Sequence, residues 1–204
     1  MELTWYALLG LFFAAYLVLG GYDYGVGLLL ARGGTSPTAR RAALNAVGPF
    51  FLGNEVWLIA AVGILFGAFP TLEGELLSGF YPAVVGALAG VILVTAGVQL
   101  RSRPHGGRAR AGWDRVIVAG SALASLGWGG LLAGLLQGVP LGADGHVAGL
   151  THLFTPFVAA AALATLALVA AQGATFLTLR LPVADAVPVS RLARRLLPVA
   201  VTAV

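Results

Sequence analysis

Two carboxylates lie inside apolar stretches of this chain: Asp23 in GYDYGVG (Gly21–Gly27) and Glu55 in GNEVWL (Gly53–Leu58). A charged acid at the centre of a membrane helix costs roughly 2.5–3.5 kcal/mol on insertion scales. Such a residue faces protein or water and is a candidate for moving protons. Asn45 and Asn54 share the second stretch with Glu55, and Trp57 follows it. Asp23 precedes Arg32 by nine residues, roughly 14 Å of helix, and Glu55 follows Arg41 by fourteen, roughly 21 Å. Paired as antiparallel helices, the two stretches set these acids at staggered depths. With Asn45 and Asn54 they then form a polar trail from the arginine-bearing end toward mid-membrane. The other reading is structural: each acid is protonated or hydrogen-bonded and locks helix packing. Sequence leaves both open.

Other chemistry is poorly supplied. There is no cysteine, so no disulfide and no thiolate metal site. Haem iron takes an axial His, Met, Cys or Tyr. His105, His146 and His152 fall in loops or at span edges, and the only methionine is Met1. Tyr22 and Tyr24 are the poor candidates that remain. The expectation is that this chain binds no haem, metal or other cofactor of its own. Nothing resembles a phosphate-binding loop or a hydrolase triad.

The elements that must position the acids are transmembrane helices. The chain is 59% hydrophobic and 10% charged, against about 25% charged residues in soluble domains. Long runs rich in Gly and Ala suit helices better than the short alternating strands of a barrel. Five full spans are predicted, at Tyr6–Leu30, Ala46–Phe69, Phe80–Leu100, Val116–Leu136 and Phe154–Leu179, with a sixth starting at Leu196. A span needs about 20 helical residues, and the nine from Leu196 to Val204 fall short. The expectation is one transmembrane domain over residues 1–204, broken off within its sixth span. The N-terminus lacks the basic region of a signal peptide and reads as the first span.

All twelve basic residues are arginines, and they fall in the first, third and fifth loops. The second and fourth loops carry Glu73, Glu75 and Asp144 and no arginine. By the positive-inside rule the arginine loops are cytoplasmic and the N-terminus is outside. This pattern is a topology signal and not a nucleic-acid footprint. Gly21, Gly25 and Gly27 allow close backbone approach or local unwinding near a helix end. Gly53, Gly86, Gly90 and the Gly130–Gly134–Gly138 series read as packing faces. Gln137 and Gln172, each before a glycine near a span's end, are expected to bond backbone or headgroups. Trp5, Trp113, Tyr81 and Phe80 fit interfacial anchors.

Taken together, GYDYGVGLLL (Gly21–Leu30), GNEVWL, FGAFP (Phe66–Pro70), SGFY (Ser78–Tyr81), LLQGVP (Leu135–Pro140) and QGATFL (Gln172–Leu177) resemble subunit II of the cytochrome bd quinol oxidases. The resemblance covers about Gly20–Arg180 and implies a terminal respiratory oxidase of the bacterial cytoplasmic membrane. Haems b and d, the quinol site and the oxygen chemistry are then expected in a partner, subunit I. Subunit II supports it, contacts lipid, holds a structural quinone in some members, and contributes acids to a cytoplasmic proton path. On this chain the matching acids are Asp23 and Glu55. Three positions depart from the pattern: Leu52 stands where many members have Asp, and Val94 and Gln99 where many have an arginine and an acid. The alternative from the residues alone is half of an ion-coupled secondary transporter, with Asp23 and Glu55 near the midplane.

Overall fold

The computed structural model describes residues 2–31, 36–103 and 106–202. Arg32 and His105 lie outside the described residues. Seven α-helices run among the described residues: α1 (Glu2–Leu29), α2 (Pro37–Ala68), α3 (Pro70–Gly79), α4 (Tyr81–Arg101), α5 (Gly107–Gln137), α6 (Pro156–Arg180) and α7 (Val183–Thr202). Of these, α1, α2, α4, α5 and α6 are long and apolar enough to cross a membrane. They match the five predicted spans. The fold is an all-α polytopic bundle.

Local sequence sets the helix ends. Ser36 caps α2, its Oγ accepting from the Ala39 N–H at 3.1 Å, and Pro37 takes the first turn, where no N–H is missed. Thr155 and Pro156 start α6 in the same way. Gly138, at φ 94°, ends α5 in a conformation that L side chains avoid.

Four segments read as loops are helical. α2 and α5 begin nine residues before the predicted spans, at Pro37 and Gly107, because these turns carry good caps or arginines that tolerate water. Glu73 and Glu75 lie on the short helix α3. Arg191, Arg194 and Arg195 lie in the middle of α7, so the helix that was expected to begin at Leu196 begins at Val183. Arginines at that spacing share one helix face, and α7 packs along α6 with Ala193 buried.

At the centre, α5 touches α1, α4 and α6. Its most apolar window is 61% buried, against 11% for α1 and for α2. The outer faces of α1 and α2 therefore carry exposed apolar side chains such as Leu11, Val18, Val56 and Ile59. Glycines bring the central backbones together. A methyl group on Gly25 would sit 2.2 Å from the Val169 carbonyl oxygen on α6, and one on Gly173 would sit 2.2 Å from the Gly25 carbonyl carbon. Gly90 meets Ala124 on α5 at 2.3 Å in the same sense. α1 stays helical through GYDYGVG, so its glycines serve close approach and not unwinding. Phe80, expected as an interfacial anchor, is 1% exposed instead and fills the space beside Gly134.

The glycines are not equivalent, and a substitution series will separate them. Gly25→Val or Gly173→Val should lower the melting temperature of the detergent-solubilised protein sharply, since overpacking costs about 1–3 kcal/mol or more. Gly53→Ala, with nothing within 4 Å of its added carbon, should melt like the parent. Equal losses at Gly25 and Gly53 would contradict the packing described.

Candidate functional site

Asp23 is 5% exposed and faces α2. Asn54 Nδ2 donates to Asp23 Oδ2 at 2.9 Å and lies 3.3 Å from the Leu19 carbonyl oxygen. The other carboxyl oxygen, Oδ1, is buried with no protein partner. A bare buried carboxylate oxygen is costly, and a proton or a water on it removes that cost. A cleft of about 160 Å³ adjoins it, lined by Leu19, Val47, Phe50 and Phe176 and reaching Arg180. At roughly 30 Å³ per water it has room for a few molecules. The Arg180 guanidinium stands at the end of this cleft, 5.3 Å from the Phe50 ring centroid and 5.6 Å from that of Phe176.

Glu55 does not join this group. Neighbouring residues on a helix point about 100° apart, so Glu55 turns toward α4. There Thr95 Oγ1 lies 2.6 Å from Glu55 Oε1 and 2.8 Å from the Val91 carbonyl oxygen. A hydroxyl has one hydrogen to donate. When Thr95 donates to Val91, the Glu55 contact is a hydrogen bond only if the carboxyl carries a proton.

Asn45 belongs to neither group. It is exposed, in the wall of a larger cavity of about 970 Å³ between α2, α4 and α5 at their arginine-bearing ends. Pro49, one turn on, has no N–H for the Asn45 carbonyl and lines the same cavity. The expected trail of four polar residues is thus divided: Asp23 with Asn54, Glu55 with Thr95, and Asn45 apart. The division arises because α2 presents different faces to α1 and α4.

The motif residues act locally. Gln172 Nε2 donates to the Val18 carbonyl at 2.6 Å, and its Oε1 fills the space a side chain on Gly21 would need. Gln137 bonds a side chain, accepting from Thr155 Oγ1 at 2.6 Å. Trp57 packs on Phe12 with ring centroids 5.5 Å apart. Gly27 faces Ser121, whose hydroxyl is buried without a partner.

Several contacts were missed by sequence reasoning. Tyr16 and Tyr24 join their hydroxyls at 2.5 Å inside the core, and Trp128 Nε1 donates to Tyr16 at 3.1 Å. The signal was there: tyrosines eight apart share a helix face. Asp114 is buried and paired with Arg40 at 3.2 Å and with Arg101 Nε. An acid among arginines was the cue. His152 is buried edge-on to Phe80, ring centroids 5.2 Å apart, and both its nitrogens lack a protein partner. Among the described residues, no three His, Asp or Glu side chains group as a metal site.

The comparisons with known proteins now bear on these residues. The family described as "Cytochrome bd terminal oxidase subunit II" matches residues 1–204. The chain belongs to that family. It is 35% identical over 185 residues to the cytochrome bd-I ubiquinol oxidase subunit 2 of Escherichia coli, covering 88% of this chain and 49% of that protein. It is 34% identical over 146 residues to the cytochrome bd ubiquinol oxidase subunit 2 of Bacillus subtilis, covering 70% of this chain and 42% of that one. The chain spans about half the length of the curated relatives it matches. The three positions expected to depart from the family pattern fall in different settings: Leu52 is 60% exposed, Gln99 is exposed, and Val94 is buried against Gly120.

At the opposite end of the bundle, the fourth loop is clasped to α3. Glu75 Oε1 lies 2.5 Å from His146 Nδ1, and Oε2 accepts from the Val147 N–H at 2.8 Å. The hydrogen bond to Glu75, then its charge and that of Asp144, raise the His146 pKa above its ordinary 6.5. The hydrogen bonds from His146 and from Val147 lower Glu75 below its ordinary 4.5. A raised histidine contributes fully below its free value and is lost as pH rises through its raised one. A lowered acid contributes above its free value and is lost as pH falls through its lowered one. The clasp should therefore be tightest between about pH 4.5 and 6.5. Hydrogen exchange at the Val147 amide, corrected for intrinsic rate, should be slowest in that window and rise on both sides. In Glu75→Gln the pH dependence should vanish; a flat profile in the parent protein would contradict it.

Proposed function

We propose that this chain is the haem-free subunit II portion of a quinol:oxygen oxidoreductase in a bacterial respiratory membrane. The observation that carries the reading is the family match together with a buried carboxylate in the wall of a cleft that reaches Arg180. A partner, subunit I, carries haems b and d, oxidises quinol and reduces oxygen to water. This chain supplies an apolar packing surface on the outer faces of α1 and α2, contacts lipid, and performs no redox step. The quinol site belongs to the partner, and a structural quinone held by this chain is part of the same reading. The arginine-bearing ends of the spans face the cytoplasm.

Within this assignment Asp23 is a proton-holding group. The Asn54 amide holds one carboxyl oxygen and leaves the other without a protein partner, in a residue that lines the Arg180 cleft. Water in that cleft would deliver a proton to Oδ1 from the arginine end. Glu55 has two proton placements available with Thr95 and Val91, which suits a second holding site closer to α4. Protons consumed in forming water are drawn through one or both acids. Turnover then builds a proton gradient without a pump. The chain as a whole reads as one transmembrane domain.

Asp23→Asn should slow quinol-driven oxygen consumption roughly tenfold, a barrier increase of about 1.4 kcal/mol, while the haem spectrum of the purified complex stays unchanged. Glu55→Gln should slow it as well. Unchanged turnover in both variants would reduce the acids to packing residues. Stoichiometric haem in this chain purified alone would overturn the subunit assignment.

A further inference from the structure

The 970 Å³ cavity between α2, α4 and α5 has a use that proton transfer does not require. Five arginines line it, Arg40, Arg41, Arg101, Arg103 and Arg110, against one acid, Asp114. Asp114 is already engaged by Arg40 and Arg101, so it does not also balance Arg41 and Arg110. Arg40 Nε is buried there with no hydrogen-bond partner, and an unsatisfied buried donor is costly. The first turn of α5 opens on the cavity at Gly107, and no side chain caps it. Its free N–H groups and the helix dipole add to the positive field. An anion with several acceptor oxygens would satisfy these donors together.

The setting selects the kind of anion. The cavity spans the ends of three membrane helices, from the charged turns at Arg40 and Arg110 down to the apolar Leu44 and Val98. Its floor lies where hydrocarbon begins and its wall where headgroups lie. We propose that this cavity binds the phosphodiester headgroup of an anionic phospholipid, with the phosphate against Arg41, Arg110 and Arg40 and the acyl chains in the surrounding bilayer. Basic pockets between membrane helices on the cytoplasmic side recognise such headgroups, and arginine matches phosphate oxygens in pairs.

Native mass spectrometry and thermal melting test this on the full chain, purified from membranes with the subunits that accompany it. The probes are cardiolipin, phosphatidylglycerol, phosphatidylcholine and inorganic phosphate. The two anionic lipids should stay bound and raise the melting temperature, and phosphatidylcholine should do neither. Millimolar phosphate should not displace them. Arg41→Gln with Arg110→Gln should weaken the anionic lipids about tenfold or more, at about 1 kcal/mol per basic residue near the surface. Replacing both by Lys should retain part of the binding. Both side chains are exposed, and Arg110→Gln alone carries the same test if the double variant is not recovered. Undiminished lipid binding in the Gln variants overturns the proposal. So does displacement by phosphate, which makes this a free-anion site. Lipid bound by the chain alone but excluded from the complex gives the cavity to an acidic segment of another subunit and also overturns it.

Discussion

An acid placed among apolar helices needs partners from the protein, because the bilayer interior offers none. Asp23 finds one in Asn54, across the contact between α1 and α2. That contact is held from behind by the crossing of α1 and α6 at Gly25 and Gly173, where the two backbones touch with no side chain between them. Gln172 then reaches the Val18 carbonyl, two turns along α1 from Gly25. The GYDYGVG and QGAT motifs are thus two halves of one helix crossing. The crossing sets the position of α1, and through it the position of its carboxylate.

The same helix geometry separates two polar routes. α2 faces α1 and α6 on one side and α4 and α5 on the other. Asn54 and Glu55 are adjacent in sequence yet serve opposite sides. The smaller cleft leads from Arg180 to Asp23. The larger cavity is bounded by Asn45, Pro49 and the arginines around Asp114, and its inner wall at Val98 is one helical turn from Thr95. The buried tyrosine pair and Trp128 lie deeper, where α1 meets α5, and satisfy one another without an ionised partner.

Much of this was legible in the chain. Hydropathy and arginine placement mark the five spans, because the membrane imposes length and charge rules that single residues obey. The glycines of GYDYGVG announce close packing, since few other residues permit backbones to touch. The pairing of Asp23 with Asn54 was half legible: both were singled out, but the rotation of α2 that joins them and turns Glu55 away is a tertiary property. α3 was missed and α7 was started too late because Glu73, Glu75 and the arginines at 191, 194 and 195 break a hydropathy window without breaking a helix. Phe80 was misplaced because an aromatic at a span edge signals an anchor unless a glycine such as Gly134 opens space behind it. Asp114 was passed over because its partners, Arg40 and Arg101, come from two other helices.

The central claim is that Asp23 holds a proton on its way from the arginine end to chemistry in another chain. Time-resolved proton uptake tests it most directly. The fully reduced complex in liposomes is mixed with oxygen, and a pH dye reports uptake from the arginine-bearing side while absorbance follows the haems. The account predicts that Asp23→Asn slows the uptake and the haem step that requires a proton, and leaves oxygen binding at its parent rate. Proton uptake at the parent rate in Asp23→Asn would contradict it.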